Sequence, residues 1–347
     1  MKATATSVPR LHWPMRAQVM TRVADLFALM KPRVMLLAVF TALVGLVVAP
    51  VHLNLAQSCI AILAISAGAG GAGVLNMWYD ADIDAVMCRT AMRPIPRGRI
   101  SEADALVFGL ILSGSSVAAL ASALNIVAAA LLASAIFFYV VVYTIWLKRY
   151  TPQNIVIGGA AGALPPVIGW AAATGNVGLE PVILFLIIFL WTPPHFWALS
   201  LNRVSEYERA GIPMLPVVAG RTGTTRQIRL YSFLLVPISL LPWMLDFAGS
   251  IYGAVAIVFG AIFIALAWQL RRSKQDYRRA AHRLFVFSIF YLFVLFATLL
   301  VDQRSDHGER PLVARLAAPV GSLERANPWL ESVKFAGRAI NVRAGEV

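Results

Sequence analysis

The sequence predicts an all-α polytopic membrane protein with nine transmembrane helices. Three observations carry that reading. The chain is 59% hydrophobic and only 14% charged, and its mean hydropathy of +0.73 is far above that of a soluble domain. The apolar residues fall into runs of about twenty, the length a bilayer core requires. The net charge of +13 is gathered in short clusters between those runs rather than spread on one surface, so nucleic acid is not an expected partner.

Residues 1–33 carry Lys2, Arg10, Arg16, Arg22, Lys31 and Arg33 against the single acid Asp25. No signal-peptide cleavage pattern follows, because the next apolar run is of full span length. This stretch is read as a cytoplasmic N-terminal arm, with a short interfacial helix near Asp25–Met30. Nine spans are placed near 34–51, 55–77, 105–123, 127–146, 155–174, 180–200, 230–246, 250–270 and 284–301. Residues 105–147 hold no charge at all, too long a stretch for one helix, and Asn125 marks the hairpin that divides it. Gly175-Asn176 and Gly249 turn the following pairs. Domain 34–301 is thus the membrane unit, and 302–347 is read as a loosely ordered periplasmic tail of mixed charge. Cys59 and Cys88 are too few and too far apart for a metal or disulfide framework, and Cys59 is read as packing.

Charge alternates from loop to loop. The N-terminal arm, Arg89–Arg99, Lys148-Arg149, Arg203–Arg229 and Arg271–Arg283 form one set, whereas the turns near His52, Asn125, Asn176 and Asp246 hold no lysine or arginine. The positive-inside rule then puts the N-terminus in the cytoplasm, and an odd span count puts the C-terminus outside.

The stretch that organises the rest is Asn76-Met-Trp-Tyr-Asp80-Ala-Asp-Ile-Asp84, followed by Arg89, Arg93, Arg97 and Arg99. Each four-residue step on a helix advances about 40° past a full turn, so Asn76, Asp80 and Asp84 share a face and Asp82 lies opposite as a solvated bystander. An ordinary cytoplasmic loop would explain Arg97, Arg99 and Asp82. It explains Asn76 and Asp80 poorly, because they stand at the end of an apolar run and would be desolvated for no gain. Chelating groups on one stripe beside arginines point to a divalent cation and a phosphate-bearing ligand. A second stripe follows the sixth span: His195, Asn202 and Glu206, seven and four residues apart. Two acidic stripes at similar depth can share divalent ions with a diphosphate, while Arg89, Arg93, Lys148 and Arg149 neutralise the departing charge. His195 lies inside apolar sequence. It either hydrogen-bonds a neighbouring helix or handles a ligand, and spacing leaves both open. The small-residue runs Ala67–Gly73 and Gly158–Ala163 suit close helix packing better than ligand clearance.

These motifs resemble the UbiA-type intramembrane prenyltransferases. Asn-x₃-Asp-x₃-Asp on the second span and an acidic motif after the sixth define the superfamily. Lys31-Pro-Arg33, Arg93-Pro-Ile-Pro, Tyr143-Thr-x-x-Leu-Lys-Arg149, Asn154-Ile-Val-Ile-Gly-Gly-Ala-Ala-Gly, Pro165-Pro166, Pro194-His195-Phe-Trp197 and Ala210-Gly-Ile-Pro-Met-Leu-Pro216 are similar to its heme branch, across roughly residues 20–301. The resemblance implies a UbiA-type helix bundle that moves farnesyl from farnesyl diphosphate to a vinyl group of heme b, with water added, giving heme O. It implies Mg²⁺ held by Asn76, Asp80, Asp84 and Glu206, and a heme side formed by His195, Trp197 and Asn154. It further implies a multi-pass protein of the bacterial inner membrane, with heme A synthase or terminal-oxidase assembly proteins as partners. Glu206 stands where the family usually has aspartate, one methylene longer. A prenyltransferase acting on an aromatic quinone precursor is the nearest alternative. A polyphosphate-lipid transporter would call for inverted repeats, and none is evident.

Overall fold

A computed structural model describes residues 15–302 apart from Lys274, with side chains from Thr21 onward. Every regular element among the described residues is helical. The helices in chain order are α1 (Met15–Leu29), α2 (Pro32–Val47), α3 (Leu55–Tyr79), α4 (Ala81–Val86), α5 (Glu102–Ala123), α6 (Ile126–Phe137, continued by a π-helical segment Phe138–Leu147), α7 (Lys148–Tyr150), α8 (Asn154–Ala163), α9 (Pro165–Thr174), α10 (Leu179–Ser200), α11 (Val204–Arg209), α12 (Leu215–Val218), α13 (Gly220–Met244), α14 (Ser250–Arg272) and α15 (Tyr277–Val301). Eight of the described helical segments are long and apolar enough to cross a membrane, and the bent pair Thr21–Leu29 and Pro32–Val47 makes a ninth if taken as one span.

The span boundaries follow apolar length and capping. Asn54 caps α3 in a reciprocal box with Gln57, and Ser101 and Asn125 cap α5 and α6 through backbone amides three residues on. Gly175 ends α9 at φ 72°, as a left-handed terminus prefers. The expected hairpins at Asn125, Gly175 and Gly249 are all present.

Three differences from expectation concern where helices begin and break. The helix expected near Asp25–Met30 begins earlier, at Met15. It docks Leu29 into a cluster with Val74, Met77, Ile95 and Ile100. Asp25, itself buried, pairs with Arg99 at 3.1 Å. Between α1 and α2 the chain bends by 55°, and Lys31 sits in the bend at φ 54°, a left-handed conformation that costs a bulky residue about 1–2 kcal/mol. Helices α13 and α15 begin at Gly220 and Tyr277 rather than 230 and 284, because a helix continues after apolarity ends and carries Arg221, Arg226 and Arg229 beyond the apolar run. Cys59 is exposed instead of packed. The tail beyond Asp302, with its Pro328-Trp-Leu330, lies outside the described residues.

Small residues set the close approaches. A Cβ on Gly45 would stand 2.0 Å from the Pro166 carbonyl oxygen, and one on Gly169 would stand 2.0 Å from the Ala42 oxygen, so α2 and α9 cross backbone to backbone. Gly71 serves α3 against α5 similarly, with Ser113 Oγ 2.5 Å from the missing Cβ. Packing, the preferred reading of these runs, holds. The main core lies among α10, α13, α14 and α15 around Trp197, Tyr252, Phe263, Tyr291 and Phe296. There Tyr252 and Tyr291 both donate to Ser239, so no hydroxyl of the three is stranded.

Candidate active site

The organising stretch folds as two helices rather than one. α3 ends at Tyr79, Asp80 takes φ −90° and ψ 12°, and α4 begins at Ala81. The break does not scatter the stripe. Asn76, Asp80 and Asp84 are 4%, 1% and 3% exposed, whereas the Asp82 side chain is 65% exposed. Buried carboxylates need partners, and cations supply them. Lys148 pairs with Asp80, and Arg93 donates to Asp84 at 2.5 Å. Arg149 stands 3.9 Å from Asp80, lies over the Tyr79 ring and donates to the Tyr79 carbonyl.

Asp82 is not a bystander. It holds Arg149 through two contacts of 2.8 and 2.9 Å. That pairing, above all the hydrogen bonds from Arg149, keeps its carboxyl below the usual carboxylate range. The sign follows: the pairing is complete at neutral pH and is lost only as pH falls below the ordinary carboxylate value. Helical-face reasoning placed Asp82 correctly but could not see the arginine arriving from another span.

Asn76 is the hub. It donates to Asp80 at 2.8 Å and to Thr144 Oγ1 at 3.0 Å, and its Oδ1 accepts from Lys31 Nζ at 2.5 Å. Lys31 and Thr144 were not among the expected site residues, although both stand in stretches that carry the resemblance. Lys31 reaches the site only because of the bend before α2, and its ammonium stands within electrostatic reach of Asp80, Asp84, Arg93 and Lys148. Thr144 reaches it through the π-helix, where its hydroxyl donates to the Tyr139 carbonyl five residues back. The same wide turns stack Tyr139 on Tyr143 at 5.5 Å. Tyr143 lies against Gly158, where a Cβ would come 2.2 Å from the ring. Asn154 is fully buried and donates to the Lys148 carbonyl at 3.4 Å, while its Oδ1 has no partner. Its one hydrogen bond therefore ties it to the lysine turn.

The second stripe does not survive as a helical face. α10 ends at Ser200, and amides of Asn202 and Arg203 turn back to carbonyls three residues earlier, so periodicity does not carry from His195 to Glu206. Glu206 accepts from Arg203 at 3.2 Å. Among the described residues no three carboxylate, imidazole or thiol groups come together to hold a metal, so Glu206 does not stand beside Asp80 and Asp84 here, and its Oε2 is buried without a partner. The link between the stripes is aromatic instead: Tyr143 is within electrostatic reach of both Asp80 and Tyr207. Burial raises the Tyr207 hydroxyl above its usual value, against the pull of Arg89 and Arg203. Arg89 itself is exposed.

His195 is 8% exposed, stacked between Trp191 at 4.2 Å and Phe285 at 4.8 Å. Its Nδ1 lies 2.6 Å from Ser288 Oγ, whose own hydrogen goes to the Phe285 carbonyl. The serine therefore accepts, Nδ1 carries the proton, and Nε2 keeps its lone pair. Trp197 is buried against Tyr231, with its Nε1 unpartnered.

The donor set suits a hard divalent cation. Asp80 Oδ1 is buried without a hydrogen bond, and two carboxylates with one amide leave positions for substrate oxygens, which Mg²⁺ prefers to an all-protein cage. Lys31, Arg93, Lys148 and Arg149 ring the same carboxylates, so metal and phosphate chemistry converge on one spot.

The model of the UbiA prenyltransferase family matches residues 38–297. The chain belongs to the UbiA prenyltransferase family. Its similarity to curated members is high. It is 59% identical over 281 residues to protoheme IX farnesyltransferase 2 of Mesorhizobium japonicum, covering 80% of this chain and 90% of that one. It is 53% identical over 310 residues to the protoheme IX farnesyltransferase of Acidiphilium cryptum, covering 87% and 98%. Among solved structures, a digeranylgeranylglyceryl phosphate synthase superposes with TM-score 0.69 at 19% identity, covering 82% of this chain and 99% of that one. A UbiA homologue from Archaeoglobus fulgidus bound to GPP and Mg²⁺ superposes with TM-score 0.58 at 16% identity, covering 80% and 99%. These structural matches show that the UbiA fold is shared.

Proposed function

We propose that this UbiA-family protein transfers farnesyl from farnesyl diphosphate to a vinyl group of heme b, with addition of water, to give heme O. The observation that carries the reading is the buried Asn76–Asp80–Asp84 set ringed by Lys31, Arg93, Lys148 and Arg149, in a chain 59% identical to a protoheme IX farnesyltransferase. Asp80, Asp84 and Asn76 would hold Mg²⁺, which supplies charge neutralisation on the diphosphate when bound. Lys148 and Arg93, now on the carboxylates, exchange them for diphosphate oxygens when substrate arrives. Asp82 keeps Arg149 aimed at the same place. Charge on the leaving diphosphate is thereby met by groups already in position. The allylic cation left behind is attacked by the vinyl carbon, inside a bundle that keeps early water away.

Glu206 and Arg89 act at the rim beside Tyr207 rather than on the cation. Trp197 and His195 are assigned to the heme side, and Ser288 fixes the imidazole so that Nε2 can face the porphyrin. Asn154 supports the Lys148 turn. The protein would lie in a bacterial inner membrane with its N-terminus and acidic site cytoplasmic. Its product would pass to a heme A synthase or to terminal-oxidase assembly.

The test is an assay of purified protein with heme b, farnesyl diphosphate and Mg²⁺, read by product mass. A product heavier than heme b by one farnesyl and one hydroxyl group is expected, the proton of the added water being released. Prenylation of a quinone precursor with heme untouched would favour the aromatic-acceptor alternative. His195→Ala should weaken the heme absorption titration and leave farnesyl diphosphate affinity unchanged. The opposite pattern would remove His195 from the heme side.

A further inference from the structure

The cytoplasm-side end assigned to the bundle holds a second basic cluster that the reaction does not use. Arg221 and Arg229 of α13 and Arg271 and Arg272 of α14 line a cleft of about 620 Å³ with Trp268. Two guanidinium groups lie over Trp268, Arg229 at 5.1 Å and Arg272 at 5.5 Å from its ring, and Arg221 lies 4.6 Å from the Tyr277 ring. No carboxylate of the described residues pairs with Arg229, Arg271 or Arg272. The Nε of Arg229 is buried and has no acceptor. Arginines serving only as topology signals would stand in water. Arg221, Arg229 and Arg272 are instead laid on aromatic faces, and Arg271 stands exposed beside them.

A second cleft of similar size continues from the first along α14, and the two share Trp268 and Arg272. Its wall is Ala261, Ile264 and Ala265. With Trp268 and Arg272 these residues fall at steps of three and four, so they form one face of the helix. The bundle leaves that face open, because α14 packs mainly on α13 and α15, and Trp268 is 40% exposed. A basic, aromatic-edged cleft opening onto a shallow apolar groove along a membrane helix has the form of an amphiphile with a phosphate head.

We propose that the α13–α14 cleft binds an anionic phospholipid, its phosphate among Arg229, Arg271 and Arg272 and one acyl chain along Ala261, Ile264 and Ala265. Basic pockets between membrane helices at this level suit such headgroups, and each basic side chain near the surface contributes about fivefold in affinity. A free phosphate would have no use for the groove. The site proposed for farnesyl diphosphate lies on α3 and α4, whereas α14 packs mainly on α13 and α15.

The test uses purified full-length protein in phosphatidylcholine nanodiscs with or without phosphatidylglycerol, with retained lipid counted by native mass spectrometry. Wild-type protein should retain phosphatidylglycerol over phosphatidylcholine. The triple variant Arg229→Gln, Arg271→Gln, Arg272→Gln should lose that preference on the order of 100-fold, and Arg229→Gln alone about fivefold. The single variant keeps the test open if the triple variant does not fold. Equal retention by wild type and variants overturns the proposal. Displacement by inorganic phosphate would assign the cleft to a free anion, and arginine-dependent displacement by farnesyl diphosphate would assign it to substrate. Either result also overturns the proposal. Asp80→Asn should leave lipid retention unchanged, so failure of the prenyltransfer reading would leave this result standing.

Discussion

Asn76 shows how few atoms separate a buried chelator from a buried liability. Its amide satisfies Asp80 and Thr144 while its oxygen takes Lys31, so three spans converge on one side chain. Removing either aspartate leaves a cation buried without its counterion, and it also removes the metal-side oxygens. Asp80→Asn and Asp84→Asn should each lower kcat by roughly 10²–10³-fold, the range for losing one preorganised charge contact, with membrane insertion intact. Near-normal turnover in either variant would refute the assignment. Asp82→Ala should behave differently. Asp82 is largely exposed, so loss of the pair should raise the KM for farnesyl diphosphate by no more than about fivefold, an exposed pair being worth under 1 kcal/mol, with kcat kept. Equal damage from all three aspartates would mean that Arg149 positioning and metal holding are not separable.

At the scale of the helix, the α2–α9 crossing is where a single methyl group matters most. Gly45→Ala places its Cβ 2.0 Å from a backbone oxygen that has no rotamer to escape into. It should destabilise by about 1–3 kcal/mol, as overpacking does, and lower the melting temperature in detergent. Gly162→Ala meets nothing within 4 Å and serves as the control. An unchanged melting temperature for Gly45→Ala would show that the helices can part. Much at this scale was legible in the sequence. Hydropathy placed the span centres, Asn125 and Gly175 marked the turns, and Asn-x₃-Asp-x₃-Asp found the carboxylates. Periodicity did not show what depends on departures from regular helix. It extended α10 straight through Leu201–Arg203 to Glu206, and it could not foresee the left-handed Lys31 or the π-helix that brings in Thr144. Partners that come from distant spans, such as Arg149 for Asp82 and Ser288 for His195, leave no local pattern at all.

Taken whole, the molecule divides its charge by end. The acidic site, Lys148-Arg149, and the arginines of α13, α14 and α15 all belong to ends that consecutive spans place together. If the bent pair is the first of nine spans, the positive-inside rule would put that end in the cytoplasm and Asp302 on the far side. A reporter fused after residue 302 should read as periplasmic, and one at residue 275 as cytoplasmic. Both on one side would mean that the bent pair does not cross.

The π-helical segment Phe138–Leu147 has a consequence in time as well as in space. Its carbonyls receive amides from one residue farther along than an α-helix allows, in a geometry seldom sustained for ten residues. Such hydrogen bonds open more readily than those on either side. Amide exchange in deuterated buffer should therefore run faster over 138–147 than over Ile126–Phe137, and slow when diphosphate and Mg²⁺ are added. The span that carries Thr144 and Lys148 would then breathe between turnovers and stiffen during them.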